Sequence, residues 1–343
     1  MRSCIKVVES ELAAKHKQMR SDSFLFFRGT YYRWAQLWPE ICDDLHKAPT
    51  VLGVGDLHVA SFGTWRDREG RLCWGVDDFD DAYPLPYTND LVRLAASIRM
   101  VTDSEDLTIK FRDGCDAFLE GYVESLKAGG CPFVLAEHEK NLERLGIEAI
   151  KPPQDFWAKL TKKSAVPRRD VPIDAREAWR KTLPPGVDCK VVRRMAGLGS
   201  LGQRRFVAIV MHEGGYLARE AKAMIPSASV WKEGKKGRGE HYYEKAISSA
   251  VRSHDPFQLV SGNWLIRRLS PDSNPIEIDK LPKERDEYAL LRAMGREVAN
   301  VHLGTRNQVK RVLRDLSLRK SNWLRRAGKK MAKAIEKDWQ EYS

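Results

Sequence analysis

GDLHVASFG, residues 55–63, and VDDFDDA, residues 76–82, are the two stretches from which the architecture of this chain can be read. The first follows the apolar run from Thr50 to Val54, which has the character of a buried strand, so Asp56 falls where a strand gives way to a loop. The second ends another apolar run, which follows the turn-like Asp67–Gly70. The two strands are expected to pair as a hairpin. Asp77, Asp78, Asp80 and Asp81 put four carboxylates into five residues. Such a cluster repels itself and is kept at modest cost only when it is solvated or neutralised by a cation such as magnesium. Val76 and Phe79 interleave with the acidic positions in a strand-like way, so at least one carboxylate is expected to point inward. That favours a metal over a solvated acidic turn.

Outward from this segment, residues 1–48 read as helices broken at the polar, aromatic stretch SDSFLFFRGTYYRW, residues 21–34. Apolar spacing predicts two helices between Asn89 and Leu126, interrupted near Thr102–Glu105. Residues 151–186 are dense in proline and charge and read as a boundary with some local structure around Trp157 and Trp179. Strands are then predicted at 189–195, 203–211 and 216–222, with a helix at about 240–253, a strand at 263–271 and a helix from Glu284 to Leu303 that continues into a helical tail. The fold class is α+β. A helical part at 1–150 carries the acidic loops, 151–186 is the boundary, 187–271 is a β-rich unit, and helices at 272–343 pack back on the first part.

The chain has 343 residues, 42% of them hydrophobic, enough for one large two-lobed unit or two ordinary domains with a real core. Cys4, Cys42, Cys73, Cys115, Cys131 and Cys189 are scattered without a C-x-x-C pair, which argues against structural zinc and a disulfide framework. No apolar run approaches the ~20 residues that cross a bilayer, and the amphipathic, charged start does not read as a signal peptide, so a cytoplasmic location without a membrane partner is expected. The net charge of +12 suits an anionic partner such as a nucleotide or nucleic acid. Much of the excess lies between Lys310 and Lys333, where Val312, Leu316, Trp323 and Leu324 interleave at near-helical spacing. A solvated helix face is favoured there over a nucleic-acid contact.

The order G-D-L-H-x-x-x-F-G, D-D-F-D-D-A, N-D-L-x-R-L-A resembles the catalytic segment of protein-kinase-like phosphotransferases, including aminoglycoside and choline kinases. More closely, the chain resembles the bacterial family called domain of unknown function 2252, through SFLFFRG at 23–29, GDLHVASFG at 55–63, VDDFDDA at 76–82, NDLVRLAAS at 89–97, GLGSLGQRR at 197–205 and VANVHLG at 298–304. The resemblance implies a two-lobed protein-kinase-like fold that uses ATP and magnesium to transfer a phosphoryl group to a hydroxyl of a small molecule or protein. Asp56 becomes the base, with His58 beside it as the other catalytic candidate. Asp78 becomes the magnesium ligand, and Asp90 a structural tie to the catalytic loop. Ser61 stands where the family's metal-binding asparagine is expected; a hydroxyl is a weaker ligand than an amide oxygen, so Asp80 takes over or one metal is lost.

Gly197, Gly199, Ser200 and Gly202 form a G-x-G-x-x-G between two predicted strands, whereas a dinucleotide fingerprint needs a helix after it. A glycine-rich hairpin covering ATP phosphates fits better. The third strand then supplies a cation: Arg219 at about the kinase spacing, or Lys222 with the usual residue type. Alternation puts them on opposite faces, and Lys222 is preferred on chemistry. Its carboxylate partner is expected on the next helix, at Glu240 or Glu244. Arg267 and Arg268 read as structural, and Arg28 is placed near the phosphates. Since the glycine-rich part follows the aspartates, the fold is expected to be circularly permuted. The competing readings are a nucleotide-binding pseudokinase, an adenylyltransferase on the same scaffold, a metallophosphoesterase built on the Asp56–His58 pair, and a nucleic-acid-binding protein.

Overall fold

The computed structural model describes residues 7–104, 108–138, 140–148, 150–234, 241–273 and 287–343. Four helices open the chain: α1 (Glu9–Ser21), α2 (Ser23–Gly29), α3 (Tyr31–Ile41) and α4 (Asp43–His46). The stretch expected as a break is therefore helical. Asp22 caps α2 by accepting the Leu25 N–H at 2.7 Å, and the aromatic residues Phe26 and Phe27 of α2 and Tyr31, Trp34 and Trp38 of α3 are buried. The aromatic density that suggested a break is core surface, recurring at about one helical turn.

Four short strands follow: β1 (Thr50–Gly53), β2 (Phe62–Arg66), β3 (Leu72–Val76) and β4 (Tyr83–Pro86). β2 and β3 form the hairpin, whereas β1 pairs with β4, both antiparallel. This corrects the expected pairing of β1 with the strand ending at Val76. Gly55, at φ 83°, turns the chain off the β1 line, and Val54, Leu57 and Val59 are buried within the loop instead of extending a strand. Nesting one pair inside the other sets residues 54–61 beside residues 77–82, and the Asp77 N–H donates to the Ser61 carbonyl at 3.1 Å between them.

Next come α5 (Tyr87–Asp103), α6 (Phe111–Ala128), α7 (Leu135–His138), α8 (Lys140–Glu148), α9 (Pro153–Thr161) and α10 (Ile173–Arg180). Strands β5 (Lys190–Arg193), β6 (Arg205–His212), β7 (Gly215–Ala223), β8 (Leu259–Ser261) and β9 (Trp264–Arg268) make one antiparallel sheet in the order β5-β6-β7-β9-β8. Between β7 and β8 lie α11 (Ala228–Lys232) and α12 (Tyr243–Ser249); α13 (Glu287–His302), α14 (Val309–Leu318) and α15 (Trp323–Tyr342) end the chain.

α9 and α10 cover the sheet, so the proline-rich 151–186 stretch belongs to it as much as it bounds it. Ala175, Ala178 and Trp179 pack with Phe206, Ala221, Trp264 and Ile266, while Leu160 packs with Val192, Val207 and Ile209. The first helices, the short strands, α5, α6, α12 and α13–α15 share the other core. There α13 lies so close to α6 that a Cβ at Gly295 would fall 2.0 Å from the Phe118 carbonyl oxygen. Among the described residues no helix is long and apolar enough to cross a membrane.

α13 also fixes the end of β3. Glu297 accepts the Val76 N–H at 3.2 Å and an Asn300 side-chain N–H at 3.1 Å, and burial raises its carboxyl to about 7 despite the nearby Arg252. A carboxyl that binds its proton more tightly when folded than when unfolded stabilises the fold below its unfolded value, and that contribution is lost as pH rises through the folded one. The stability of the wild type relative to Glu297→Gln should therefore fall between pH 4.5 and 8, by up to about 3 kcal/mol. Thermal melts of both proteins across that range would show it, and parallel curves would refute it.

Candidate functional site

The loop at 54–61 is held from below by α5. Asp90 accepts the N–H groups of Val54 at 2.6 Å and Gly55 at 3.1 Å; His302 Nε2 lies 3.1 Å from the same carboxylate, and the Tyr122 hydroxyl is 2.8 Å from His302 Nδ1. These contacts outweigh burial and keep the Asp90 carboxyl below its ordinary value, largely through His302 and the two amides. One helical turn after Asp90, Arg93 donates through Nε to Asp56 Oδ1 at 3.0 Å and through a second nitrogen to the same oxygen. Its guanidinium is enclosed by the rings of Phe27, Tyr31 and Trp34 at 4.0, 4.8 and 5.0 Å from their centroids. Burial raises the Asp56 carboxyl above its ordinary value although Arg93 opposes this, and the charge of Asp78 adds to the rise.

Ser61 closes this loop. Its hydroxyl accepts the His58 N–H at 3.0 Å, sits 3.1 Å from His58 Nδ1 and reaches the Asp56 carbonyl at 3.3 Å. A buried hydroxyl with these partners is committed to the turn, so the metal-ligand role expected for Ser61 is not the one its geometry serves. His58 is buried edge-on against Phe24, and burial together with Arg28 and Arg93 pushes its imidazole well below 6.5, leaving it neutral. It buttresses the loop, and its bond to Ser61 does not suit the two-metal pair of a phosphoesterase.

In the loop at 77–82 the four carboxylates diverge. Phe79 turns into the core against Tyr243, and Asp81 accepts the Ala228 N–H at 2.7 Å. Burial raises Asp77 to about 6 and Asp81 to about 7, the latter helped by Asp56. Asp78 is 57% exposed, whereas Lys222, 3% exposed, pairs with Asp80 and lies 3.8 Å from Asp78. The two aspartates share one ammonium. Lys222 and Arg267 hold Asp78 below its ordinary value, and the rise falls on Asp80, from burial and its neighbour's charge. Asp80 Oδ1 is buried without a hydrogen-bond donor among the described residues.

The register of the sheet decides the faces. Lys222 sits opposite Arg205 and Leu265, and Glu220 opposite Val207 and Arg267. Arg219 sits opposite Ala208 and Arg268, with its guanidinium 3.9 Å from the Phe257 ring centroid. Arg219 is thereby removed from the acidic loop, as is Arg268. Glu244 is a further correction: α12 buries Tyr243, Ala246 and Ile247, one helical stripe, and leaves Glu244 exposed. Glu240 lies outside the described residues. The carboxylates beside Lys222 are Asp80 and Asp78. Arg267 bonds Glu220, as do Arg194 and Arg205, and these three arginines hold the buried Glu220 carboxyl well below its ordinary value against the burial that would raise it.

The glycine-rich turn joins β5 to β6. Gly197 and Gly202 have φ of 73° and 92°, and Ser200 Oγ accepts a bond from Arg205 at 2.5 Å. A methyl group built at Gly199 would lie 3.5 Å from the Arg28 carbonyl and 3.9 Å from Asp56 Oδ2. Gly199, Arg28 and Asp56 are thus neighbours, and Asp56 lies in the field of Asp78, which shares Lys222 with Asp80. Sequence reading missed Arg93 and Arg205. Arg93 had a signal, since it lies three residues after Asp90 inside a quoted motif and must share its helix face.

Magnesium and a nucleotide phosphate fit these residues: Asp78 is open, Asp80 Oδ1 lacks a donor among the described residues, and a Cβ built at Gly199 would meet nothing closer than 3.5 Å. Among the described residues no group of three His, Cys, Asp or Glu side chains is placed to hold a metal ion. A cation here would complete its shell with oxygens from outside the protein, as magnesium does on phosphates.

Residues 7–131 match the model of a family described as an uncharacterized protein conserved in bacteria (DUF2252), which supports that family resemblance. The match spans both acidic loops and ends before the glycine-rich turn. No curated protein and no solved structure matches the chain.

Arg93 is 0% exposed and Asp56 22%, so loss of either leaves a poorly solvated charge. Arg93→Met and Asp56→Asn should each cost about 3 kcal/mol of stability, and the double variant clearly less than their sum. A double-mutant cycle by urea denaturation measures this; simple additivity would mean that the pair is not coupled.

Proposed function

We propose that this chain is an ATP- and magnesium-dependent phosphotransferase of protein-kinase-like build, with the order of its lobes circularly permuted, that acts on a hydroxyl of a small molecule or protein. The observation that carries the proposal is the meeting of Lys222 with Asp80 and Asp78 in a cleft where the glycine-rich turn lies over Asp56. A cation, two carboxylates, a candidate base and a phosphate-covering turn come together from segments far apart in the chain. The sheet supports it as well, with the turn between its first two strands and the lysine on its third, as the kinase resemblance requires.

Each residue then has a task. Gly197, Gly199 and Gly202 let backbone approach phosphate oxygens, and Lys222 neutralises their charge. Asp78 and Asp80 are the residues that would hold magnesium, which when bound supplies charge neutralisation on the phosphates. Arg93 holds Asp56 by Oδ1, so Oδ2 is the oxygen left to take the acceptor's proton. Arg194, Arg205 and Arg267 exceed the charge of Glu220 and add a positive field behind the cleft. A second reading, nucleotide binding without phosphoryl transfer or with transfer of the adenylyl group, is favoured by one observation: the Ser61 hydroxyl is spent within its loop.

Incubation with γ-labelled and α-labelled ATP separates these readings, because phosphoryl transfer moves the first label and adenylylation the second. Asp56→Asn should lower turnover by ~10²–10⁴-fold while nucleotide affinity changes little. A wild type that binds ATP and magnesium but turns over no faster than Asp56→Asn would defeat the transferase claim.

ATP with magnesium should raise the melting temperature by binding the folded state, and Asp78→Asn should remove most of the magnesium-dependent part of that rise. An unaltered magnesium dependence in that variant would remove Asp78 from the metal site.

A further inference from the structure

Helix α1 lies in the amphipathic, charged start of the sequence, yet Glu11 and Lys15, one turn apart, are only 7% and 8% exposed. Both face the glycine-rich turn. The Val8 N–H donates to the Gly202 carbonyl at 2.9 Å, the Gly202 N–H lies 3.4 Å from Glu11 Oε2, and Lys15 Nζ donates to the Gly199 carbonyl at 2.9 Å. The stem of Lys15 passes over Gly29, where a built Cβ would sit 3.4 Å from Lys15 Cε. The ammonium therefore lies between α2 and the turn, in the field of Asp56 and Asp81.

A neutral carbonyl compensates a buried ammonium poorly, whereas an anionic oxygen does so well. We infer that Lys15 is a phosphate-binding residue of this cleft, supplied by the first helix, and that it contacts the polyphosphate of the nucleotide beside Gly199. This rests on the proposal that the cleft takes a nucleotide. Burial already lowers the Lys15 ammonium from its ordinary value, although Asp56 and Asp81 oppose the shift. An arriving phosphate favours the charged form and gives Nζ a better acceptor than the Gly199 carbonyl. Binding thereby competes with the Lys15 bond to the Gly199 carbonyl, because the same ammonium serves both.

The alternative is a strap that only holds the turn in place, and the two differ in what they do to ligands without phosphate. The full chain with Lys15→Met or Glu11→Gln is titrated calorimetrically with magnesium–ATP, adenosine and inorganic tripolyphosphate. Lys15→Met should weaken ATP and tripolyphosphate by about tenfold or more and leave adenosine unchanged, since a bond to a charged group is lost. Glu11→Gln loosens the same turn without removing the cation and should leave tripolyphosphate affinity close to that of the wild type. Lys15→Gln keeps a donor for the Gly199 carbonyl without the charge; it should show the same losses and replaces Lys15→Met if that variant does not fold. Equal tripolyphosphate affinity in the wild type and the Lys15 variant, or uniform weakening of all three ligands, would overturn the inference. Lys15-dependent tripolyphosphate binding without ATP binding would instead overturn the nucleotide proposal, and a wild type that binds neither would overturn both.

Discussion

A lysine ammonium buried to the degree of Lys222 must have an anion beside it, and here that anion comes from a loop well over a hundred residues earlier in the chain. This requirement ties the five-stranded sheet to the body of helices. With Lys222 on Asp80, the register of β7 sets Glu220 on the same face two residues away, and Arg205 and Arg267 on the neighbouring strands come to it. The glycine-rich turn that precedes Arg205 is then carried over Asp56. Were Lys222 to pair elsewhere, the sheet would lose its orientation on the acidic loop.

The cleft is dense in buried charge, and this is poor economy for stability alone. Buried ion pairs roughly break even against well-packed apolar residues, so their worth lies in fixing geometry. The Arg93–Asp56 pair, the three arginines on Glu220 and the Asp90–His302–Tyr122 chain each hold a polar group in one orientation before any ligand arrives. Preorganised charge of this kind suits the proposed phosphoryl transfer, because little must reorganise as the bond breaks. The aromatic residues of α2 and α3 serve the same end, enclosing Arg93 while it bonds one Asp56 oxygen and the Phe27 carbonyl.

Where sequence reading misplaced an element, long-range contact overrode a local pattern. Residues 21–34 look like a break because they crowd aromatic rings with polar residues, but the rings are the buried stripe of two helices against α5 and α15. Thr50–Gly53 and Leu72–Val76 both look like buried strands, and nothing local distinguishes a direct hairpin from two nested ones. Glu244 carries the residue type sought beside Lys222, but the rotation of α12 is set by Tyr243, Ala246 and Ile247 packing into the core. Lys15 was hidden for a similar reason. Its burial depends on the turn at 197–202, which spacing within α1 cannot reveal.

The sequence by itself determined the local chemistry and geometry of this protein. It put Asp56 in a loop after a strand and clustered acid at 77–82. Its glycine turn between strands was legible too, as was the placement of Arg219 and Lys222 on opposite faces. These follow from residue type and from periods of 2 and 3.6 residues, which act over a few neighbours. Only the tertiary structure decided which face of β7 meets the acidic loop. It also decided which carboxylates accompany Lys222, that Ser61 spends its hydroxyl inside its own loop, and that α1 delivers a lysine to the glycine turn. Those outcomes are set by the burial of charge among segments distant in the chain, and compensation for a buried charge is a property of the whole packed core, not of any stretch of it.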